Sequence, residues 1–259
     1  ALNTVIAADP GFYGIAIDSR ADADVLAISA AVETMDRVFI AQTDDADAKT
    51  AGLPAGLAEL DGRQNTALVY HDADAAFSDS SWLAGAISWD PSLQSAPWNR
   101  NVAGVAAASG VEAGEKLLIR ANNINVPLPY FSNSAWMDPG VNLQGRPMHE
   151  VVSLHWIRNE LQVRIARAAS RYSAIGQKWP LNRTGQGQLR AIVEILLQDA
   201  VAAGHIDPGQ YLVLAPAITD TDRALGRLRV TFTATILGQA RTFDVVGGLL
   251  NSPIFAEAA

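Results

Sequence analysis

The stretch FYGIAIDSRADADVLAISAAVETMDRVFIAQT, residues 12–43, decides the fold. FYGIAID (12–18) and RVFIAQT (37–43) are short apolar runs of the length of buried strands. Between them, ADADVLAISAAVETMD (21–36) spaces Val25, Ile28, Val32 and Met35 three and four apart, the period of one helix face. Strand, helix, strand then repeats outward. Ala51–Leu60 reads as a weak helix, NTALVYH (65–71) as a third strand and SSWLAGAISW (80–89) as a third helix. Such alternation predicts an α/β core, a mostly parallel sheet with helices on its faces.

The pattern loosens after residue 89. DPSLQSAPWNRN (90–101) is a turn-rich loop and VEAGEKLLIRANN (111–123) a helix ending near Asn122–Asn123. INVPLPYF (124–131) alternates, but its prolines admit only an edge strand or a loop. DPGVNLQGRP (138–147) is punctuated by Pro and Gly at both ends and reads as a boundary. Beyond it the pattern is α+β. Val151, Leu154, Arg158, Leu161, Ile165, Ala168 and Tyr172 recur three or four apart and, Arg158 aside, form an apolar stripe on a long helix. After the loop QKWPLNRTGQG, with Thr184 as its N-cap, Leu189, Val193, Leu196, Ala200 and Val201 mark a second long helix, closed by Gly204. HIDPGQYLVLAP reads as a turn and a short strand, and RLRVTFTATIL with ARTFDVVGG, joined at Gly238-Gln239, as a C-terminal β-hairpin. The expected division is an α/β core at 1–145 and an α+β region at 146–259, ending in a tail. The opening residues read as the end of a helix, so sequence upstream of Ala1 is expected.

Composition narrows the function. The chain has 259 residues, 49% apolar, enough for one large domain or two modest ones. It has no cysteine, which excludes disulfides, thiol catalysis and Cys-ligated zinc. No apolar run approaches the ~20 residues that span a bilayer. A net charge of −8 argues against general nucleic-acid binding. That charge is uneven: residues 1–100 hold 15 acids against 5 Lys/Arg, and residues 101–259 hold 12 against 14. The split is either an ordinary solvated acidic surface or the sign that the acidic half of one copy meets the basic half of another.

Three stretches raise the question of catalysis. YHDADAAFSDSSW (70–82) gathers His71, Asp74 and Ser78, but the chain has no G-x-S-x-G elbow. It reads instead as a polar loop, with Ser80 or Ser81 capping the next helix and Asp79 favouring its positive end. In HEVVSLH the two histidines stand six apart, not four, so His149 and His155 do not share a helix face as zinc ligands would. DSRADAD (18–24) and TDDADA (43–48) are acidic loops at strand ends, where α/β enzymes bind ligands. A metal-dependent enzyme built on them is the alternative reading, although neither carries calcium-loop spacing. No nucleotide-binding motif is present, and no cofactor is expected. Two features point to assembly. Arg164, Arg167 and Arg171 form a basic ridge on the long helix, either a solvated face or a subunit interface. The closing hairpin, with Val230, Phe232, Thr242 and Phe243, presents strand edges, either an ordinary sheet edge within the domain or a template for pairing with another chain.

The order of these segments resembles that of contractile-tail sheath proteins of bacteriophages. LIRANNINV precedes a Gly-rich turn, and Val151 to Trp156 form a helix core. A K-x-P-x-t-x-x-G loop follows at Lys178, Pro180, Thr184 and Gly185 or Gly187, then G-x-I-x-P-G at Gly204, Ile206, Pro208 and Gly209, then the hairpin. In the first half, FYGIAID, FIAQTDD, Arg63 to His71 and Pro97 to Asn99 resemble the sheath core. Trp179, Asn182-Arg183 and the tail NSPIFAEAA depart from the pattern. The resemblance implies a non-catalytic virion protein, assembled in the host cytoplasm, whose copies form stacked rings around a tail tube. Its implied partners are further copies, the tube protein, and baseplate and tail terminator proteins. A pyocin-like particle or secretion-type injection machine fits the same pattern.

Overall fold

The computed structural model describes Thr4 and residues 11–98, 100–129 and 135–238. Five strands form one sheet in sequence order: β1 (Gly14–Ala16), β2 (Val38–Thr43), β3 (Thr66–Tyr70), β4 (Ile124–Pro129) and β5 (Ala135–Asp138). The first four run parallel and β5 is antiparallel to β4. Helix α1 (Asp22–Val32) joins β1 to β2, α2 (Ser78–Ile87) follows β3, and α3 (Ala113–Ala121) leads into β4. The α/β half of the predicted fold is present.

Every residue of β2 and β3 is buried, because both sheet faces are covered. Alternation sorts their side chains. Phe39, Ala41, Leu68 and Tyr70 point into a core with Val25 and Val32 of α1 and Ile119 of α3. Val38, Ile40, Ala67 and Val69 point to the opposite face, against Trp82 of α2, Trp98 and the start of the next helix at Met148 and Val151. Each fully buried Ile, Leu or Phe contributes about 1.5–3 kcal/mol.

Three local expectations are corrected. Residues 51–60 hold no α-helix: short 3₁₀ turns occupy Ala46–Lys49 and Ala55–Leu60, broken by Gly52 at φ +99° and by Pro54. Strand β4 is internal, not an edge. Its ladder with β3 ends at Asn125, so Pro127 sits beyond the reach of β3, and the Pro127 carbonyl accepts the Ala108 N–H at 2.8 Å. Helix α2 starts at Ser78, ahead of Ser80, behind Phe77 in the left-handed region at φ +48°.

The second half holds α4 (Met148–Ala174), α5 (Arg183–Ala202), β6 (Ile206–Leu214), the short α6 (Asp220–Ala224) and β7 (Thr231–Ile236). Strands β6 and β7 form the C-terminal antiparallel pair. The predicted partner segment ARTFDVVGG lies outside the described residues; the strand from 231 pairs with residues 206–214, which are longer than the short strand expected there. Gly209 at φ +75° accompanies the register shift between Ile206 and Tyr211 that accommodates Pro208 inside β6. A separate core joins Ile157, Val193, Leu196, Leu197, Ala200, Ile206 and Val213.

Candidate functional site

The polar stretch 70–82 is committed to structure. The His71 Nε2–H donates to the Ala106 carbonyl at 3.1 Å, and His71 Nδ1 accepts the Ala73 N–H at 2.9 Å. Both ring nitrogens therefore hold loops in place. The Ser78 N–H donates to Gln42 Oε1 at 2.7 Å, and Asp79 is fully buried against Arg20 at 3.0 Å. Asp74 also pairs with Arg20, at 3.3 Å. In the acidic loops, Asp45 accepts the Asp47 N–H and Asp24 accepts the Ser19 hydroxyl. Among the described residues, no three His, Asp or Glu side chains are placed to hold a metal ion.

The long helices α4 and α5 carry the predicted basic ridge. Arg164 is half-buried and paired within the chain, to Glu160 at 3.2 Å and to Asp199 of α5 at 2.7 Å, so it clamps the two helices together. Arg167 and Arg171 are exposed. The ridge is also larger than the sequence reading gave it. Between Glu160 and Glu194 the chain has no acid but six cations: Arg164, Arg167, Arg171, Lys178, Arg183 and Arg190. Sequence reading missed this because it followed one helix face; the loop 175–182 brings Lys178 and Arg183 to the same end of the helix pair.

That end is shaped by specific contacts. Asn182, not Thr184, caps α5: its Oδ1 accepts the N–H groups of Thr184 and Gly185 at 2.9 and 3.1 Å. Tyr172 and Trp179 stack with ring centroids 5.7 Å apart, and the Trp179 Nε1–H donates to the Gly185 carbonyl at 3.1 Å. A Cβ on Gly185 would fall 1.9 Å from the Pro180 carbonyl oxygen, whereas Gly187 has nothing within 4 Å. Gly185 is thus the glycine this loop requires. Gly204, at φ +77°, closes α5 as expected.

Helix α4 differs from its predicted stripe. Leu154 is exposed and Arg158 pairs with Asp36, while His149, Ser153, His155 and Ile157 are buried. The first three turns are packed from two sides, by the sheet half and by the β6 end, so one apolar face cannot describe them. At the strand pair, Leu212 and Leu214 of β6 are exposed at 54% and 53%. Phe232 of β7 is exposed at the margin, opposite buried Val213, and Val230 packs against the second core. Thr242 and Phe243 lie outside the described residues.

A five-stranded, mostly parallel sheet, two long helices and a C-terminal strand pair is an arrangement found in solved structures. A chain of the anti-feeding prophage baseplate matches with a TM-score of 0.63 and 11% identity, over 96% of this chain and 71% of that one. The sheath tail protein of Listeria innocua matches at 0.57 and 14% identity, over 88% of this chain and 57% of its own length. This chain has the sheath-protein fold. A third match is the sheath complex of an extracellular contractile injection system in its contracted state, at 0.52 and 13% identity, over 86% of this chain and 68% of that one. No family model matches the sheath-fold chain, and no curated protein matches it.

Proposed function

We propose that this chain is the structural subunit of a contractile phage tail sheath, polymerising as stacked rings around a tail tube and contracting to drive the tube through the host envelope. The observation that carries the reading is the fold likeness to sheath and baseplate chains across almost the whole described chain. The charge split supports it: −10 over residues 1–100 against a basic helix end. In this reading residues 1–145 are the rigid core domain and residues 146–259 the assembly domain. Arg167 and Arg171, steadied by Arg164, meet the acidic half of a neighbouring copy. Val230, Phe232, Thr242 and Phe243 belong to the strand edge that pairs between copies, where backbone hydrogen bonds survive reorientation. The tube, baseplate and terminator proteins are its other partners, the virion is its site, and the host cytoplasm is where it assembles. Catalysis has no part in it.

A second reading is the sheath of a pyocin-like or secretion-type injection machine. It is favoured by the prophage and extracellular injection-system structures among the neighbours. Negative-stain electron microscopy of concentrated full-length protein, alone and with its tube protein, tests both. Striated tubes or stacked rings are expected. Isolated particles in both samples overturn the sheath reading.

A further inference from the structure

Three of the four histidines, His149, His155 and His205, line one cavity of about 650 Å³. It lies where the sheet half meets α4 and the start of β6, with Trp89 and Trp98 on one side and Trp156 on the other. Two polar contacts that cross this junction run through an imidazole. The Tyr13 hydroxyl is 3.0 Å from His155 Nδ1, and His205 Nε2 is 2.6 Å from the Pro91 carbonyl. The Ser95 N–H also donates across the junction to the Ala203 carbonyl at 2.7 Å, and Arg158 pairs with Asp36.

The hydrogen-bond partners fix which nitrogen carries the proton in each neutral ring when the junction is closed. Burial pushes the Tyr13 phenol pKa up, so it keeps its proton and donates it, and His155 Nδ1 accepts. The Pro91 carbonyl can only accept, so the His205 proton is on Nε2. His205 Nδ1 then accepts from the Ser153 hydroxyl, 2.7 Å away. Ser153 Oγ also lies 2.7 Å from the His149 carbonyl, so its proton can turn aside. Burial, not hydrogen bonding, is therefore what opposes a second proton on His205.

The charged groups facing these rings do not compensate. Around His155 stand Asp36, which favours the charged ring, and Arg158, which opposes it; burial outweighs both and lowers its pKa to about 4. His205 faces Ser153, the Pro91 carbonyl and the Trp156 ring, stacked at 4.6 Å, and burial lowers its pKa as well. Arg37 lines the cavity with its Nε committed to the Phe12 carbonyl at 2.9 Å.

We propose that this junction is an acid-labile clasp: proton uptake by His155 and His205 parts the long helices and strand pair from the sheet half, while the sheet core stays folded. The inference does not rest on the sheath reading. The sign follows from linkage. A ring whose pKa is depressed in the closed form stabilises closure above pH ~6.5, and that stabilisation is lost as pH falls towards about 4. For His155 alone, the shift from 6.5 to about 4 favours opening by roughly 150-fold at pH 4 relative to neutral pH.

Hydrogen exchange of the full chain between pH 7 and pH 4, corrected for intrinsic rates, tests it. Amides of 149–157 and 203–206 are expected to lose protection with a midpoint inside that range, while those of β2 and β3 keep theirs. The double variant His155→Gln with His205→Gln, which keeps neutral hydrogen-bonding groups, is expected to stay closed at pH 5. Simultaneous loss of protection in β2, β3 and the junction overturns the proposal. So does opening of the double variant at the wild-type pH. Should the variant not fold, histidine proton resonances of the wild type decide: both rings titrating near 6.5 without local opening refutes the clasp.

Discussion

Replacing Asn125 by Ala is expected to loosen the turn that aims α4. Asn125 is fully buried at the end of the β3–β4 ladder. Its Oδ1 accepts the N–H groups of Gly140 and Val141, each at 2.8 Å, and its Nδ2 donates to the carbonyls of Leu68 and Val141 at 3.0 and 2.8 Å. One side chain thus pins residues 140–141 to the sheet, seven residues ahead of α4. Alanine leaves two buried N–H donors without this acceptor, at about 1–3 kcal/mol each, and the two carbonyls lose one donor apiece. A cost of about 4 kcal/mol follows, a large share of the ~5–15 kcal/mol that holds a domain together. With a urea slope of ~3 kcal/mol/M, the midpoint should fall by about 1.3 M. Urea unfolding followed by circular dichroism measures it. Asn125→Asp keeps the one accepting oxygen but sets a second oxygen against the Leu68 and Val141 carbonyls in a fully buried site, so its midpoint should fall at least as far as that of alanine. A midpoint for Asn125→Ala within ~0.3 M of wild type refutes the idea that this side chain sets the turn.

The two glycines of the 175–187 loop should part company. Gly185→Ala drives a Cβ into the Pro180 carbonyl and should cost about 1–3 kcal/mol, while Gly187→Ala, in open space on a helix, should gain about 0.5–1 kcal/mol, both read by thermal unfolding. Leu197→Ala removes a fully buried side chain from the small second core and should cost about 2–5 kcal/mol. Arg167→Glu with Arg171→Glu changes exposed groups only, so the melting temperature should hold while assembly in the electron microscope is lost; tubes of normal appearance would remove the ridge from the interface.

How much of this was legible in the sequence follows from where each signal resides. The buried parallel strands were readable because β2 and β3 are apolar on both faces, which leaves continuous runs such as VFIA and ALVY. The long helices were readable from period and from Gly204. What could not be read depends on distant partners. Pro127 fits an internal strand only because the ladder with β3 stops at Asn125, and no local pattern reports where a neighbour ends. Arg164 looked like a free ridge member because its partner Asp199 lies 35 residues away. The burial of His149, His155 and His205 was invisible for the same reason: each alone is a polar residue in an ordinary helix or turn.

The sheet half and the second half have cores of unequal depth, and this bears on the proposed sheath role. The sheet is clamped between two clusters that include Trp82, Trp98, Phe39 and Leu68, whereas the second half relies on one layer from α4 and α5 against a twisted strand pair. A protein that keeps its core rigid while exchanging neighbours needs its weaker elements at the contacts, since regions that rearrange are drawn from the low end of local stability. The exposed Leu212 and Leu214, the acid-free helix end and the histidine-lined junction all lie in or beside that thinner half. If the division is real, protection factors should step down between the sheet and the strand pair under native conditions. A single uniform opening free energy from β2 through β7 would mean that the chain unfolds as one block, and the separation of rigid core from adaptable contact half would fall with it.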